Sequence, residues 1–327
     1  MAFEPGAISA TGPTIAVIGS ANIDLVAYVD RAPGPGETVL GTRFVQGFGG
    51  KGANQAVMAA RFGVRASFIG AAGDDAYGAA MVANFEREGI DLAGLARLPG
   101  SSGLAPIWVE ADGTNRIIVI QGANGSVEPA AVVGAIERLP GVDVVVGQLE
   151  IPQAATIAGF RAAKARGAIT ILNPAPAADL DAALLVASDW LVPNEVEVAQ
   201  LAGLAIAGSD VELAAFGTGA GRGLVVTLGA AGAVLVVEGR VERVQAPRVE
   251  AVDSTGAGDA FVGAFAVGLA LGLEPIAAVW LGIACAADSV TRPGTQLSFP
   301  GRERAATLLA QASSQPSGPG MNAASSG

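Results

Sequence analysis

Asp253-Ser254-Thr255-Gly256-Ala257-Gly258-Asp259-Ala260-Phe261 is the stretch on which the reading of the fold turns. It follows a β-like stretch and opens a long apolar helix, expected over residues 260–271. Two glycines at a helix start let the backbone approach a ligand, and the free N–H groups there point at it. Such a turn suits an anion, or charge developing on a transferring phosphoryl group. Asp259 lies within the turn, where a carboxylate can accept a hydroxyl proton. The same residues also fit a plain glycine-rich helix start with an aspartate cap.

Outward from that turn, the apolar runs 260–273 and 275–287 are divided by Glu274-Pro275. Each is too short to span a bilayer, so two buried core helices are expected. Upstream, solid apolar runs read as buried strands at 14–18, 66–69, 142–146, 168–172, 190–192 and 224–227. Amphipathic stretches read as helices, clearest at 52–62 and 77–88. Apolar strands alternating with helices predict a mostly parallel sheet covered on both faces. Residues 38–45 and 105–120 break the pattern: both look like β without helices, and Val109-Glu110-Ala111-Asp112-Gly113-Thr114 is a hairpin signal. They are expected to form a small sheet standing off the main domain as a lid, the alternative being edge strands of the main sheet. The ends, 1–13 and 312–327, are expected to be disordered, the second being rich in Ser, Pro and Gly.

Composition narrows the chemistry. The chain has 327 residues, 51% hydrophobic and 15% charged, with a net charge of −11 from 19 basic and 30 acidic side chains. That balance disfavours nucleic-acid and anionic-membrane binding, which need clustered Lys and Arg. There is no histidine, which removes His general bases and His-ligated zinc. The single cysteine, Cys285, has apolar neighbours and reads as a buried structural thiol. An enzyme of this composition would use Asp or Glu as its base. With no signal peptide or membrane segment evident, the chain is expected to be cytoplasmic.

A second glycine-rich helix entry is Gly47-Phe48-Gly49-Gly50-Lys51-Gly52-Ala53-Asn54-Gln55-Ala56. It is not a Walker A loop, lacking that spacing and the following Ser or Thr. Lys51 is one of only two lysines, with Lys164. Asn22-Ile23-Asp24 follows the first strand, where a parallel sheet collects ligands beyond its carboxyl ends. Further polar groups fall at other strand ends: Gln148-Leu149-Glu150, Asn173-Pro174-Ala175-Pro176, Pro193-Asn194-Glu195-Val196-Glu197 and Thr227-Leu228-Gly229-Ala230-Ala231-Gly232. Each alone fits a turn or a cap. Their gathering at one end of one sheet points to a site.

In this order, over about residues 14–305, these pieces resemble the PfkB carbohydrate kinase family and, within it, the ribokinases. Residues 49–56, with Gly70-Ala71-Ala72-Gly73-Asp74-Asp75, look like the family's first signature, and 253–259 like its second. Ser254 stands where Thr is commoner, and Ile283 where relatives often carry a polar residue near adenine. The resemblance implies a ribokinase-like three-layer α/β sandwich over residues 14–311, with lid segments at about 24–47 and 104–121. It implies ATP-dependent phosphorylation of D-ribose at the 5-hydroxyl, giving D-ribose 5-phosphate. Asp259 would be the general base, with the anion hole at Gly256, Ala257 and Gly258. Asn22, Asp24, Gly50, Lys51, Asn54 and Glu150, with Asp259, would hold the sugar. Asn194, Thr227, Leu228, Gly229, Gly232 and Gly258 would contact ATP. Glu197 would organise Mg²⁺ through water, and Asp253, Thr255, Ser289, Arg292, Gly294 and Ser298 would surround a K⁺ ion. The resemblance also implies a homodimer formed through the lid.

Competing readings are a kinase of the same fold acting on deoxyribose, fructose or a nucleoside such as adenosine, and a sugar sensor without catalysis. Aromatic residues make up only 5% of the chain, which is poor material for a nucleobase pocket. A dinucleotide oxidoreductase is disfavoured because Gly19-Ser20-Ala21-Asn22, not Gly-x-Gly-x-x-Gly, follows the first strand.

Overall fold

The computed structural model describes residues 12–203, 209–217 and 221–314. In chain order its elements are β1 (Thr14–Ile18), β2 (Asn22–Val29), β3 (Gly41–Gly49), α1 (Lys51–Arg61), β4 (Arg65–Gly73), α2 (Ala76–Glu88), β5 (Asp91–Leu98), β6 (Gly103–Val109) and β7 (Asn115–Ile117). There follow α3 (Pro129–Arg138), β8 (Val144–Gly147), α4 (Gln153–Ala165), β9 (Ile169–Leu172), α5 (Ala182–Ala187), β10 (Trp190–Leu191), α6 (Glu195–Ala202) and α7 (Asp210–Gly217). The last are β11 (Gly223–Thr227), β12 (Ala233–Val237), β13 (Arg240–Val244), α8 (Ala257–Ala270), α9 (Pro275–Ser289) and α10 (Arg302–Ser313).

The main sheet has the order β13-β12-β11-β10-β9-β8-β1-β4-β5. Its pairings from β5 to β11 are parallel, and β12 and β13 add antiparallel. Period-two alternation divides the strand side chains between the two faces. Ile15 and Val17 of β1 join the cluster that holds α1, α8 and α9, while Ala16 and Ile18 join the one that holds α3 and α4. Both faces are covered, which is why these strands read as solid apolar runs. The result is the ribokinase-like three-layer α/β arrangement. Strand order reverses between β1 and β8, so a crevice opens beyond their carboxyl ends.

The smaller sheet has the order β3-β2-β6-β7, with β2 and β6 parallel and the outer pairs antiparallel. It is separate from the main sheet, so the 38–45 and 105–120 segments are not edge strands of the latter. The hairpin falls at the expected place, with the Glu110 N–H donating to the Thr114 carbonyl at 2.8 Å.

Several expectations need correction. Asn22-Ile23-Asp24 is not a turn after β1 but the start of β2, already paired with β3 and β6. No strand precedes Asp253: β13 ends at Val244 and the connection is irregular. Helix α8 begins at Ala257, so Asp259 lies in its first turn. Described contacts and elements also extend past the expected bounds of the domain. Gly12 and Pro13 carbonyls receive Arg65, and α10 continues to Ser313. Residues 1–11 and 315–327 of the two expected tails lie outside the described residues. Among the described residues, no helix is long and apolar enough to cross a membrane. Cys285 is buried in α9, as expected, and burial pushes its thiol pKa up.

Candidate active site

The two glycine-rich helix entries meet at the crevice. Asn54 and Gln55, in the first turns of α1, reach Asp259 across more than 200 residues of sequence: Asn54 Nδ2 donates to Oδ2 at 2.8 Å, and Gln55 Nε2 to Oδ1 at 2.9 Å. Asp259 is 6% exposed, and these two amides fix its carboxylate plane. Gly256 caps α8 in the left-handed conformation, φ 78°, and a Cβ there would lie 2.6 Å from Thr295 Cγ2. The Ala257 N–H turns back to the Ser254 carbonyl at 3.2 Å. The N–H groups of Gly258 and Asp259 find no backbone acceptor among the described residues. Of the three N–H groups expected in the anion hole, that of Ala257 is turned back on Ser254, while that of Gly258 stays open with the Asp259 N–H beside it. No atom lies within 4 Å of the place a Cβ would take at Gly258, which leaves room for a ligand.

Glu150, beyond β8, sits at the start of α1. Its carboxylate accepts the Lys51 N–H at 2.9 Å and the Ser20 hydroxyl. Helix α1 has no acidic residue in its own first turn, so Glu150 supplies the negative charge that its dipole favours. Asn22 Oδ1 accepts from Asn124 Nδ2 at 2.8 Å, and Asn124 also closes on both backbone groups of Ala21. Gln55 is held in turn by Gln148, which donates to its Oε1 at 2.6 Å, and donates to Asn173 Oδ1 at 3.1 Å.

One ammonium faces several carboxylates. Burial opposes the charge on Lys51, but Asp259, Glu150 and Glu197 outweigh it and hold the pKa above the usual lysine value. Asp24 goes the other way: burial first, then the charges of Glu150 and Asp259, push its carboxyl up to about 7. The unfolded chain releases that proton near 3.8, so between about pH 4 and 7 the folded protein holds a proton the unfolded chain has lost. Stability from this group is therefore present at low pH and falls as pH rises through that window. Asp24→Asn is expected to raise the unliganded protein's stability at pH 8 by about 2–4 kcal/mol relative to pH 5. Denaturant unfolding at the two pH values reads this, and an unchanged pH dependence would contradict it.

The second half of the crevice is built at the ends of β10 and β11. Asn194 caps α6, its Oδ1 accepting the Val196 and Glu197 N–H groups, while Glu197 returns to the Asn194 N–H at 2.8 Å. The cap reading of this pair thus holds alongside its place in the site. Burial raises the Glu197 carboxyl, against the pull of the Asn194 N–H and Lys51, with Asp259 adding to the rise. Thr227 bridges to Asn194, and the Leu228 N–H donates to the Gly232 carbonyl at 2.8 Å around Gly229. A cleft of ≈ 200 Å³ joins Lys51, Asp259 and Gly258 to Asn194, Glu197 and Thr227.

The residues expected around K⁺ divide. Asp253 accepts the Thr255 and Gly294 N–H groups, each at 2.9 Å, and these bonds together outweigh burial and hold its carboxyl below the usual range. The Arg292 guanidinium instead grips Asp288 and the Ser298 carbonyl, and the Ser289 hydroxyl donates to the Ala286 carbonyl. Asp253 thus ties the Thr255 and Gly294 segments together, while the oxygens of Ser289 and Ser298 have partners within the protein. Among the described residues no group of three or more Asp, Glu or Cys side chains is set for a metal. A Mg²⁺ ion fits Glu197 only in the manner of one carboxylate completed by phosphate and water.

Sequence reasoning gave no role to Ser20, Asn84, Asn124 and Gln296, and quoted Gln55 and Gln148 only within motifs. Each is a polar side chain buried to below one-tenth exposure, and each acts through a partner distant in sequence.

The chain matches the family described as pfkB family carbohydrate kinase over residues 13–302. It is 38% identical over 295 residues to a deoxyribokinase of Salmonella typhi, covering 89% of this chain and 96% of that protein. It is also 38% identical over 296 residues to a ribokinase of Bacillus subtilis, covering 90% and 99%. The ribokinase of Arabidopsis thaliana complexed with ribose and ATP superposes with a TM-score of 0.82 at 29% identity, covering 91% of this chain and 99% of that one. A mostly parallel three-layer fold with a glycine-loop crevice and no histidine thus has its class: the chain belongs to the PfkB family of carbohydrate kinases. It is a sugar kinase.

Proposed function

We propose that this sugar kinase transfers the γ-phosphoryl group of ATP to the 5-hydroxyl of D-ribose. The observation that carries the reading is Asp259, fixed by two signature amides beside the unpaired N–H groups that open α8. Asp259 takes the hydroxyl proton as the O5–P bond forms and the bond from the γ-phosphorus to the departing ADP oxygen breaks. Lys51 and the α8 N–H groups stabilise the charge carried by the transferring group. Holding both reactants in line can supply on the order of 7–11 kcal/mol of the barrier. Asn22, Asp24, Gly50, Lys51, Asn54 and Glu150 hold the sugar hydroxyls. Asn194, Thr227, Leu228, Gly229 and Gly232 hold the nucleotide. Glu197 would hold Mg²⁺ through water, where the ion would neutralise phosphate charge, and oxygens of Asp253, Thr255 and Gly294 would hold K⁺. The small sheet closes over the sugar and excludes water. Its exposed Phe44 and Ile117, 63% and 52% accessible, support pairing of two lids in a homodimer.

Deoxyribose is the second reading, favoured by equal identity to a deoxyribokinase and to a ribokinase. The test is kcat/KM with Mg²⁺, K⁺ and ATP for D-ribose, 2-deoxyribose, D-fructose and adenosine. The proposal expects D-ribose to lead by about tenfold or more, because a polar site loses partners when a hydroxyl is missing. Preference for 2-deoxyribose would keep the chemistry and overturn the substrate.

A further inference from the structure

Behind Asp259 runs a chain of side chains that reaches the surface on α2. Asn54 Oδ1 accepts from Gln296 Nε2 at 3.0 Å. Gln296 Oε1 accepts from Asn84 Nδ2 at 2.9 Å, and Asn84 Oδ1 accepts from Arg87 Nη2 at 2.9 Å. Asn54, Gln296 and Asn84 are 4%, 6% and 7% exposed, and Arg87 is exposed, its guanidinium 5.9 Å from the centre of the Phe48 ring.

The sense of this chain follows from its ends. A carboxylate only accepts and a guanidinium only donates, so every amide between them is forced into one orientation. Each amide presents its N–H side toward Asp259 and its carbonyl toward Arg87. Aligned dipoles of this kind reinforce one another in a low-dielectric interior. Gln296 stands on the irregular segment after α9 that also brings Gly294 against Asp253. Its backbone carbonyl is held separately, by Arg61 Nη1 at 2.8 Å. The side chain is therefore free of the duty of anchoring the loop.

We infer that Gln296 is a positioning residue for the reaction, fixing the amide of Asn54 so that its N–H, and not its carbonyl, faces the base Asp259. The inference rests on the reading of Asp259 as the base. Without the Gln296 donor, Asn54 can turn over and set an oxygen against the carboxylate. An oxygen set there repels the carboxylate and misplaces it.

The test is a double-mutant cycle of Gln296→Met and Asp259→Asn, read in kcat with the sugar that turns over best. Gln296→Met keeps the side-chain length and removes both hydrogen bonds. The expected result is a loss of kcat of tenfold or more with the sugar KM changed less than threefold. In the Asp259→Asn background the same substitution should cost less than twofold, because the group it serves is gone. An equal loss in both backgrounds, or no loss in the first, overturns the role of Gln296 while leaving the base reading intact. Full activity in Asp259→Asn alone overturns the base reading, and the relay with it. The same cycle read in denaturant unfolding needs no substrate. Coupling is expected between these two residues, which do not touch, and additivity there counts against the relay. Should Gln296→Met not fold, Asn84→Ala, one link further out, takes its place in the cycle with a smaller expected loss of about threefold, and no loss overturns the inference.

Discussion

Asp259→Asn is expected to lower kcat by about 10²–10⁴-fold, the range a positioned general base contributes. The substitution keeps shape and volume and removes the proton acceptor. Asn54 and Gln55 each donate to one oxygen of Asp259. An amide at 259 can accept only one of those bonds and turns its own NH₂ toward the other donor. The lost bond is expected to lower stability by about 1–3 kcal/mol, short of unfolding the protein. Sugar KM should move far less than kcat, because the other proposed hydroxyl contacts come from the start of β2, the segment after β8 and the start of α1. Steady-state kinetics checked against circular dichroism separates the two effects. A variant within tenfold of the parent kcat would contradict the assignment.

Gly50→Val is expected to damage the fold severely at the sugar side of the site. Gly50 has φ 87° and ψ 126°, a backbone region open in practice to glycine alone. A Cβ there would lie 2.8 Å from both Ala21 Cα and Asn22 N and 2.9 Å from the Ser20 carbonyl. All three are backbone atoms of the β1–β2 connection or the first residue of β2, and cannot turn aside as a side chain does. Strain and overpacking each cost on the order of 1–3 kcal/mol, so a loss of about 3 kcal/mol or more is expected. The same clash would part α1 from β2, and with it Lys51 from Asp24 and Glu150. Gly50→Ala should show the same effect at smaller size. Thermal or denaturant unfolding measures it, and a change below about 1 kcal/mol for valine would contradict the packing described.

Much of this fold is legible in the sequence, for definite reasons. β1, β8 and β11 are buried on both faces, so they stand out as unbroken apolar runs. Helices α8 and α9 are apolar on nearly all sides because they pack both on the sheet and on each other. Strand β2 is harder to see: it begins with Asn22-Ile23-Asp24, residues at home in turns, and most of it is half-buried within the small sheet. β13 reads Arg-Val-Glu-Arg-Val, an edge strand with one wet face and no solid apolar signal. The base and the glycine turn were readable because their residue types sit together in the chain. Gln296 and Asn84 were not: a lone amide carries no local pattern, and Gln296 meets Asn54 across 242 residues. Asn124, which ties Asn22 and Ala21 from 102 and 103 residues away, was hidden for the same reason.

In the proposed reaction, the crevice between α1 and α8 carries a phosphoryl group from ATP to a sugar hydroxyl. Phosphorus-31 NMR of a single reaction tests it most directly, with the protein, ATP, Mg²⁺, K⁺ and D-ribose labelled with carbon-13 at position 5. ADP and a new phosphomonoester are expected in equal amounts, with phosphorus–carbon coupling that locates the phosphate on the labelled 5-carbon oxygen. ADP formed with free phosphate and no sugar ester, or an ester at another carbon, would contradict it.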